Sequence, residues 1–261
     1  MTGERPLQGV TPDSLLALHD AGYRAVIERL GPGSVLDLGC GQGFESVRLG
    51  GPGRTVVGVD YSTEALGDAR RRFAAQGLRL VAGDAAGLGL ASAAFDWVCS
   101  SHLVEHFRDP SHHVRELARV LHPDGTAFVI TPNAPADFEN PFHLRLFRAD
   151  ELADELGRSF AEVSVLGIDG SAAVKADFDR RRAKAARLLR LDVFGLRHRM
   201  PRSGYIAVYT RALPLAYRLL GSGDSGGHSG IDAGDFFVTD ALDDTTLVLF
   251  AVARRPRGRH L

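Results

Sequence analysis

Five short apolar runs that alternate with helical patterns constrain this chain more than any other feature. They are Ser34 to Leu38 (SVLDL), Thr55 to Asp60 (TVVGVD), Leu78 to Ala82 (LRLVA), Phe95 to Cys99 (FDWVC) and Thr126 to Thr131 (TAFVIT). Helix-period stretches lie among them at Phe44 to Leu49, at Thr63 to about Gln76 with Ser62 as its cap, and at Ser111 to Leu121. Strands apolar on both faces and separated by helices predict a parallel sheet covered on both sides. A leading helix, Leu15 to about Leu30, precedes the first strand and stops at Gly31-Pro32-Gly33.

The later chain is less regular. Arg148 to Leu156 reads as a helix, Ala161 to Ile168 as a strand and Thr245 to Ala253 as a strand near the C-terminus. The intervening residues, 170–244, break the repeat and read as a helical, basic insertion. It holds an amphipathic helix over about Ala173 to Val193, an apolar stretch around Pro214, and a Gly/Ser loop from Gly221 to Gly230. At 261 residues the chain is long enough for one substantial core, and a single domain, 1–261, with this elaboration is expected.

Composition narrows the function classes. With 44% hydrophobic and 24% charged residues the chain reads as an ordinary globular protein. Neither a secretion signal nor a run of ~20 apolar residues is present, so a cytoplasmic location is expected. Cys40 and Cys99 are too few for a disulfide scaffold or a metal cluster. The net charge of −1 hides an asymmetry: residues 171–220 carry twelve Lys/Arg against three Asp/Glu. A preference for arginine codons explains the 29 arginines but not their clustering. That segment is a candidate surface for anions.

Two motifs carry chemistry. In VLDLGCGQGFES, Gly39, Gly41 and Gly43 follow the first strand, where backbone N–H groups in an open parallel sheet face ligands. A dinucleotide fingerprint needs its third glycine at position 44, which is Phe44. The second motif is SSHLVEHFRDP. Its His102, Glu105 and His106 fit H-x-x-E-H, a zinc-peptidase signature if the segment is helical. If Phe95 to Cys99 is a buried strand, the same residues belong to the loop beyond it.

The G-x-G-x-G pattern after D-L resembles the class I S-adenosylmethionine-dependent methyltransferases, and the likeness continues in order. VVGVDYS offers Asp60 and Tyr61, VAGDAAGL offers Asp84 and Ala85, FDWVCSSHLVEHFRDP is similar to the family's fourth strand and following loop, and HPDGTAFVITPN resembles its turn and fifth strand, with Asp124 where glycine is usual. The likeness spans roughly Leu15 to Asp169 and the final strand, without the insertion. It implies a Rossmann-like α/β three-layer sandwich with a seven-stranded, mostly parallel sheet whose last strand is antiparallel. It also implies S-adenosyl-L-methionine as cofactor, with S-adenosyl-L-homocysteine as product. Asp37, Gly39, Cys40, Gly41, Gly43, Asp60, Tyr61, Asp84, Ala85 and Ser101 become the cofactor-binding candidates, Asp60 for the ribose diol and Tyr61 and Asp84 for the adenine.

On this resemblance the expected activity is methyl transfer to oxygen or nitrogen of a small, anionic or sugar-like biosynthetic metabolite. His106 is the first candidate base and His102 the second. Asn133, His143 and Arg145, in the stretch after the fifth strand, are substrate candidates, Arg145 being suited to a carboxylate or phosphate. Asn133 and Asn140 as turn formers and His143 as a helix cap are the alternatives. The basic helix has three readings: a substrate cover, a contact with an acidic membrane surface, or a solvated face. An RNA methyltransferase using the insertion and a zinc peptidase are the competing functions. No nucleic-acid partner and no metal is expected.

Overall fold

A computed structural model describes residues 11–137, 142–189 and 230–258. The chain divides into two compact units. The first comprises Gly22–Ala136, Leu144–Asp169 and Val238–Leu261, and the second Met1–Ala21, Asp137–His143 and Gly170–Phe237.

The order of elements is α1 (Asp13–Ile27), β1 (Gly33–Leu38), β2 (Arg54–Asp60), α2 (Thr63–Phe73), β3 (Arg79–Ala82), β4 (Phe95–Ser101), α3 (Ser111–Val120), β5 (Leu121–Pro132), α4 (Ala149–Gly157), β6 (Phe160–Gly170), α5 (Ala172–Leu189), β7 (Phe236–Thr239) and β8 (Val248–Pro256). The strands form one sheet in the order β3-β2-β1-β4-β5-β8-β6-β7. β1 to β5 run parallel, with Leu36 opposite Val57 on one side and Val98 on the other. β8 lies antiparallel between β5 and β6. The expected antiparallel last strand is therefore present, between two parallel neighbours.

The expected count of seven strands is corrected to eight among the described residues. The addition is β7, which lies at the edge beside β6 and comes from the segment expected to be helical. Four residues of FFVT carry too short a pattern to separate from loop. The expected helix at Phe44 to Leu49 is a 3-10 turn at Ser46–Leu49. In the insertion, the expected helix is described as α5 as far as Leu189. Its continuation to Val193, the stretch around Pro214, all of the Gly/Ser tract but Gly230, and Asn140 lie outside the described residues, as do the side chains of Lys184 and Arg187.

The core of the first unit explains why β1 anchors the site. Val35, Leu36, Leu38, Val98 and Leu117 are solvent-free, and Trp97, Phe128 and Phe250 stack in a row across β4, β5 and β8 at centroid separations of 6.3 and 6.0 Å. Burying one such aromatic ring stabilises by about 1.5–3 kcal/mol. β2 leaves β1 on one side while β4 pairs on the other, so the carboxyl tips of β1 and β4 flank the point where strand order reverses. Crevices at such points hold ligands in open α/β sheets. In the second unit, Ser14 donates to Asp177 and accepts from Arg181, and Val174 and Phe178 are buried. Among the described residues, no helix is long and apolar enough to cross a membrane.

Candidate active site

The glycine loop is held from beneath by backbone. The N–H groups of Gly39 and Cys40 both donate to the Val59 carbonyl, at 2.8 and 3.0 Å, so the loop bends over the tip of β2. Gly41 has φ +51° and Gly43 φ +78°, conformations costly for residues with a Cβ. The two differ in surroundings. A Cβ on Gly43 would meet Leu78, Ala69 and Phe73 at 3.0 to 3.4 Å, whereas one on Gly41 would meet none of the described residues within 4 Å. Gly43 packs the loop against α2, and Gly41 is open to approach among the described residues.

Asp60 ties this loop to the next one. Its Oδ2 accepts from the Gly41 N–H at 2.9 Å and its Oδ1 from the Ser62 N–H at 2.8 Å, while Ser62 caps α2 through its hydroxyl. A carboxylate offers about four acceptor positions, enough for two N–H groups and a vicinal diol. Tyr61, next in sequence, is half exposed. At the tip of β3, the Asp84 carboxylate accepts from the Ala86 N–H and shapes a turn closed by Gly87. Ser101 ends β4, and its hydroxyl is buried with no hydrogen-bond partner among the described residues. An orphaned buried hydroxyl is costly unless a ligand satisfies it.

Two candidates face elsewhere. Asp37 is wholly buried: Tyr23 from α1 donates to it at 3.1 Å, Ser46 also donates, and Cys99 lies opposite in β4. Strand alternation sends Leu36 and Leu38 to one face and Asp37 to the other, where α1 covers it. The Cys40 thiol is turned onto Gly58, where an added Cβ would come within 2.9 Å of it. Cys40 thus meets the loop's needs through its backbone.

Burial pushes the Asp37 carboxyl up to about 7, against the opposing pull of the Ser46 and Tyr23 hydrogen bonds. Stability from this group is therefore fully present below the ordinary carboxylate value and is lost as pH rises through about 7. Burial pushes His113 the other way, below its ordinary value, so its contribution is lost as pH falls below about 6.5. Asp37→Asn removes the first of these. Urea unfolding from pH 5 to 8.5 should show the wild type losing of order 2 kcal/mol relative to that variant as pH rises. A constant difference would contradict it.

His113 is a residue the sequence reading missed. It is solvent-free on α3, with Nδ1 3.0 Å from the Ala85 carbonyl and Nε2 2.9 Å from the Ser100 hydroxyl. A carbonyl can only accept, so Nδ1 carries the proton and, in the neutral ring, Nε2 accepts from Ser100. The ring thereby fixes the loop after β3 to β4. Glu116 and Arg119 on the same helix continue the clamp, Glu116 accepting from the Leu88 N–H and Arg119 donating to the carbonyls of Leu88 and Leu90.

The H-x-x-E-H residues do not form a helix. β4 runs through Ser101, two residues past its expected end; His102 has φ +50°, and only Val104–His106 make a 3-10 turn. The two histidines therefore cannot share one helical face, which corrects the zinc-peptidase alternative. Glu105 is solvent-free, accepts from the Thr131 hydroxyl at 3.0 Å and approaches His102 at 3.5 Å. Its carbonyl also takes the N–H groups of Leu144 and Arg145.

The three substrate candidates are already engaged. The Asn133 amide donates to the carbonyls of Asp243 and Thr246, bracing the turn before β8. Arg145 pairs with Glu155 at 3.3 Å and lies over the Phe147 ring. In the second unit, His143 pairs with Asp137 at 2.8 Å.

Comparison with known proteins matches this framework. Residues 36–129, from β1 into β5, match the methyltransferase domain family. A probable S-adenosylmethionine-dependent methyltransferase of Mycolicibacterium smegmatis is 32% identical over 189 residues, covering 69% of this chain and 72% of that protein. The chain belongs to the class I S-adenosylmethionine-dependent methyltransferases. A probable methyltransferase of Mycobacterium tuberculosis is likewise 32% identical, and there the methyltransferase described here spans 64% of the relative's length. In fold, it is similar to a solved methyltransferase from Thermotoga maritima, with TM-score 0.57 and 17% identity over 92% of this chain and 91% of that one.

The strand tips of the methyltransferase fit the cofactor's chemistry. The open approach at Gly41, the acceptor-rich Asp60 and the orphaned Ser101 hydroxyl match a ligand that combines a diol, an amino acid and an adenine. Nothing among these features or relatives supports the RNA-modifying alternative.

Proposed function

We propose that the methyltransferase transfers a methyl group to an oxygen or nitrogen of a small, anionic or sugar-like biosynthetic intermediate in the cytoplasm. The observation that carries the cofactor half is Asp60, whose two oxygens are held by the N–H groups of Gly41 and Ser62 at the mouth of the glycine loop. On this reading Gly39, Gly41 and Gly43 receive the amino-acid portion, Asp60 the ribose, and Tyr61, Asp84 and Ala85 the adenine, with Ser101 closing the floor. The cofactor supplies an already activated methyl on a sulfonium. The chain's task is to hold donor and acceptor at near-attack distance and to take up the acceptor's proton.

For the acceptor, the support is charge. Residues 171–220 carry twelve basic and three acidic side chains. Arg180 pairs with Asp177 and Arg182 with Asp179, which leaves the segment's cationic excess intact. An anionic acceptor would be attracted to such a segment and its capture weakened by salt.

The test supplies methyl-labelled S-adenosylmethionine and the full chain with separate pools of anionic and neutral metabolites. Label is expected in the anionic pool, and the acceptor's KM should rise several-fold between 50 and 500 mM salt with kcat held. Label confined to neutral acceptors, with a salt-independent KM, would contradict the proposal.

A further inference from the structure

We infer that His102 is the general base of methyl transfer and that Glu105, braced by Thr131, is the residue that positions it. The inference rests on the reading of the chain as a methyltransferase to an O–H or N–H acceptor, and it names the group that receives the proton.

Three observations converge on this pair. His102 stands immediately beyond the tip of β4 in a left-handed conformation, φ +50°, and its N–H donates to the Ile130 carbonyl of β5 at 2.8 Å. A non-glycine residue held there costs of order 1 kcal/mol, and such strain gathers at functional sites. Secondly, the ring faces a carboxylate that water does not reach. Nδ1 of His102 lies 3.5 Å from Oε1 of Glu105, and Oε2 accepts from the Thr131 hydroxyl at 3.0 Å. Catalytic pairs of this kind are often long before ligands bind and tighten in the complex. Thirdly, the side chain of the next residue, Leu103, lies 3.4 Å from where a Cβ on Gly39 would stand, which seats the pair beside the glycine loop.

The arrangement fixes which nitrogen works. A carboxylate oxygen accepts, so Nδ1 carries the proton and Nε2 is the ring nitrogen without one. As the acceptor's lone pair bonds to the methyl carbon, the carbon–sulfur bond breaks with its electron pair left on sulfur, and the acceptor's proton passes to Nε2 of His102. Glu105 orients the ring and stabilises the imidazolium, the role a buried carboxylate plays behind a catalytic histidine.

His106 is the competing base. It sits at the end of the 3-10 turn, where its backbone N–H closes onto the Leu103 carbonyl. No comparable backbone strain marks it among the described residues.

The experiment reads the imidazole directly. In a long-range proton–nitrogen correlation spectrum of the 15N-labelled full chain at neutral pH, His102 is expected as the Nδ1–H form. In Glu105→Gln, the carboxamide oxygen keeps the Thr131 hydroxyl and its NH2 group turns to His102, so the ring should switch to the Nε2–H form. Carbethoxylation of His102 by diethyl pyrocarbonate should slow at least about tenfold in the same variant.

Calorimetry with S-adenosylhomocysteine should give the same affinity within threefold for wild type, Glu105→Gln and His102→Ala. Absence of binding by the wild type would sink the methyltransferase site and not the pair. With an acceptor from the labelled pools, His102→Ala should lose at least about 100-fold in kcat with the KM for S-adenosylmethionine unchanged. An Nε2–H ring in the wild type, an unchanged tautomer in Glu105→Gln, or a kcat loss in His106→Ala that His102→Ala does not share would each overturn the assignment.

Discussion

Replacing Asp60 with alanine will weaken S-adenosylhomocysteine binding by at least about 100-fold, read by titration calorimetry. The carboxylate holds the Gly41 and Ser62 N–H groups at 2.9 and 2.8 Å, and each hydrogen bond to an ionised acceptor is worth about 1.5–3 kcal/mol. Losing it frees the glycine loop and removes the acceptor for a diol, and 100-fold corresponds to about 2.7 kcal/mol. Asn at the same position keeps one acceptor oxygen and should lose roughly tenfold. Because the same two hydrogen bonds brace the free chain, at least about 3 kcal/mol of stability should go with them, a fall in thermal midpoint of roughly 6–12 °C. An unchanged affinity in Asp60→Ala would remove the carboxylate from the site.

The second large effect is on folding. Gly43→Val places a β-branched side chain at φ +78° and drives its Cβ onto Leu78, Ala69 and Phe73. Left-handed strain of about 1–2 kcal/mol and overpacking of about 1–3 kcal/mol add to roughly 3 kcal/mol, measured as a drop in urea midpoint at constant slope. Gly41→Ala makes the comparison that separates strain from packing. Its Cβ meets none of the described residues within 4 Å, so only about 1 kcal/mol of stability should go while cofactor affinity still falls. Equal losses of stability in the two variants would mean that the packing of Gly43 against α2 contributes nothing.

The parts of this protein legible in its sequence are those dictated by short-range physics. β1, β2, β4 and β5 are continuous apolar runs because helices cover both sheet faces, and their runs fall within the observed strands. The cap at Ser62 and the break at Gly31-Pro32-Gly33 depend on neighbours in sequence and were equally readable. The acid at the tip of β2 follows from the strand's end, and Asp60 does reach the glycine loop.

What escaped depends on distant partners. His113 reads as one histidine of a helix, and only the fold brings Ala85 and Ser100, 28 and 13 residues away, to its two nitrogens. Asp37 fits the motif, yet the strand's pleat and Tyr23 on α1 take it into the interior. The spacing of His102, Glu105 and His106 suits a helix on its face. Two further residues of β4 decide against that by using the chain a helix would need. Asn133 and Arg145 looked available because their partners, Asp243, Thr246 and Glu155, lie in elements that a local reading cannot pair with them.

The most direct measurement is a titration of the 15N-labelled full chain with S-adenosylhomocysteine, followed by amide correlation spectra. Saturation at one equivalent, with the largest shifts at Gly39 to Gly43, Asp60 and Tyr61, and Asp84 and Ala85, is the predicted result. A spectrum that does not move, or shifts that gather away from the carboxyl tips of β1 to β4, would contradict the account.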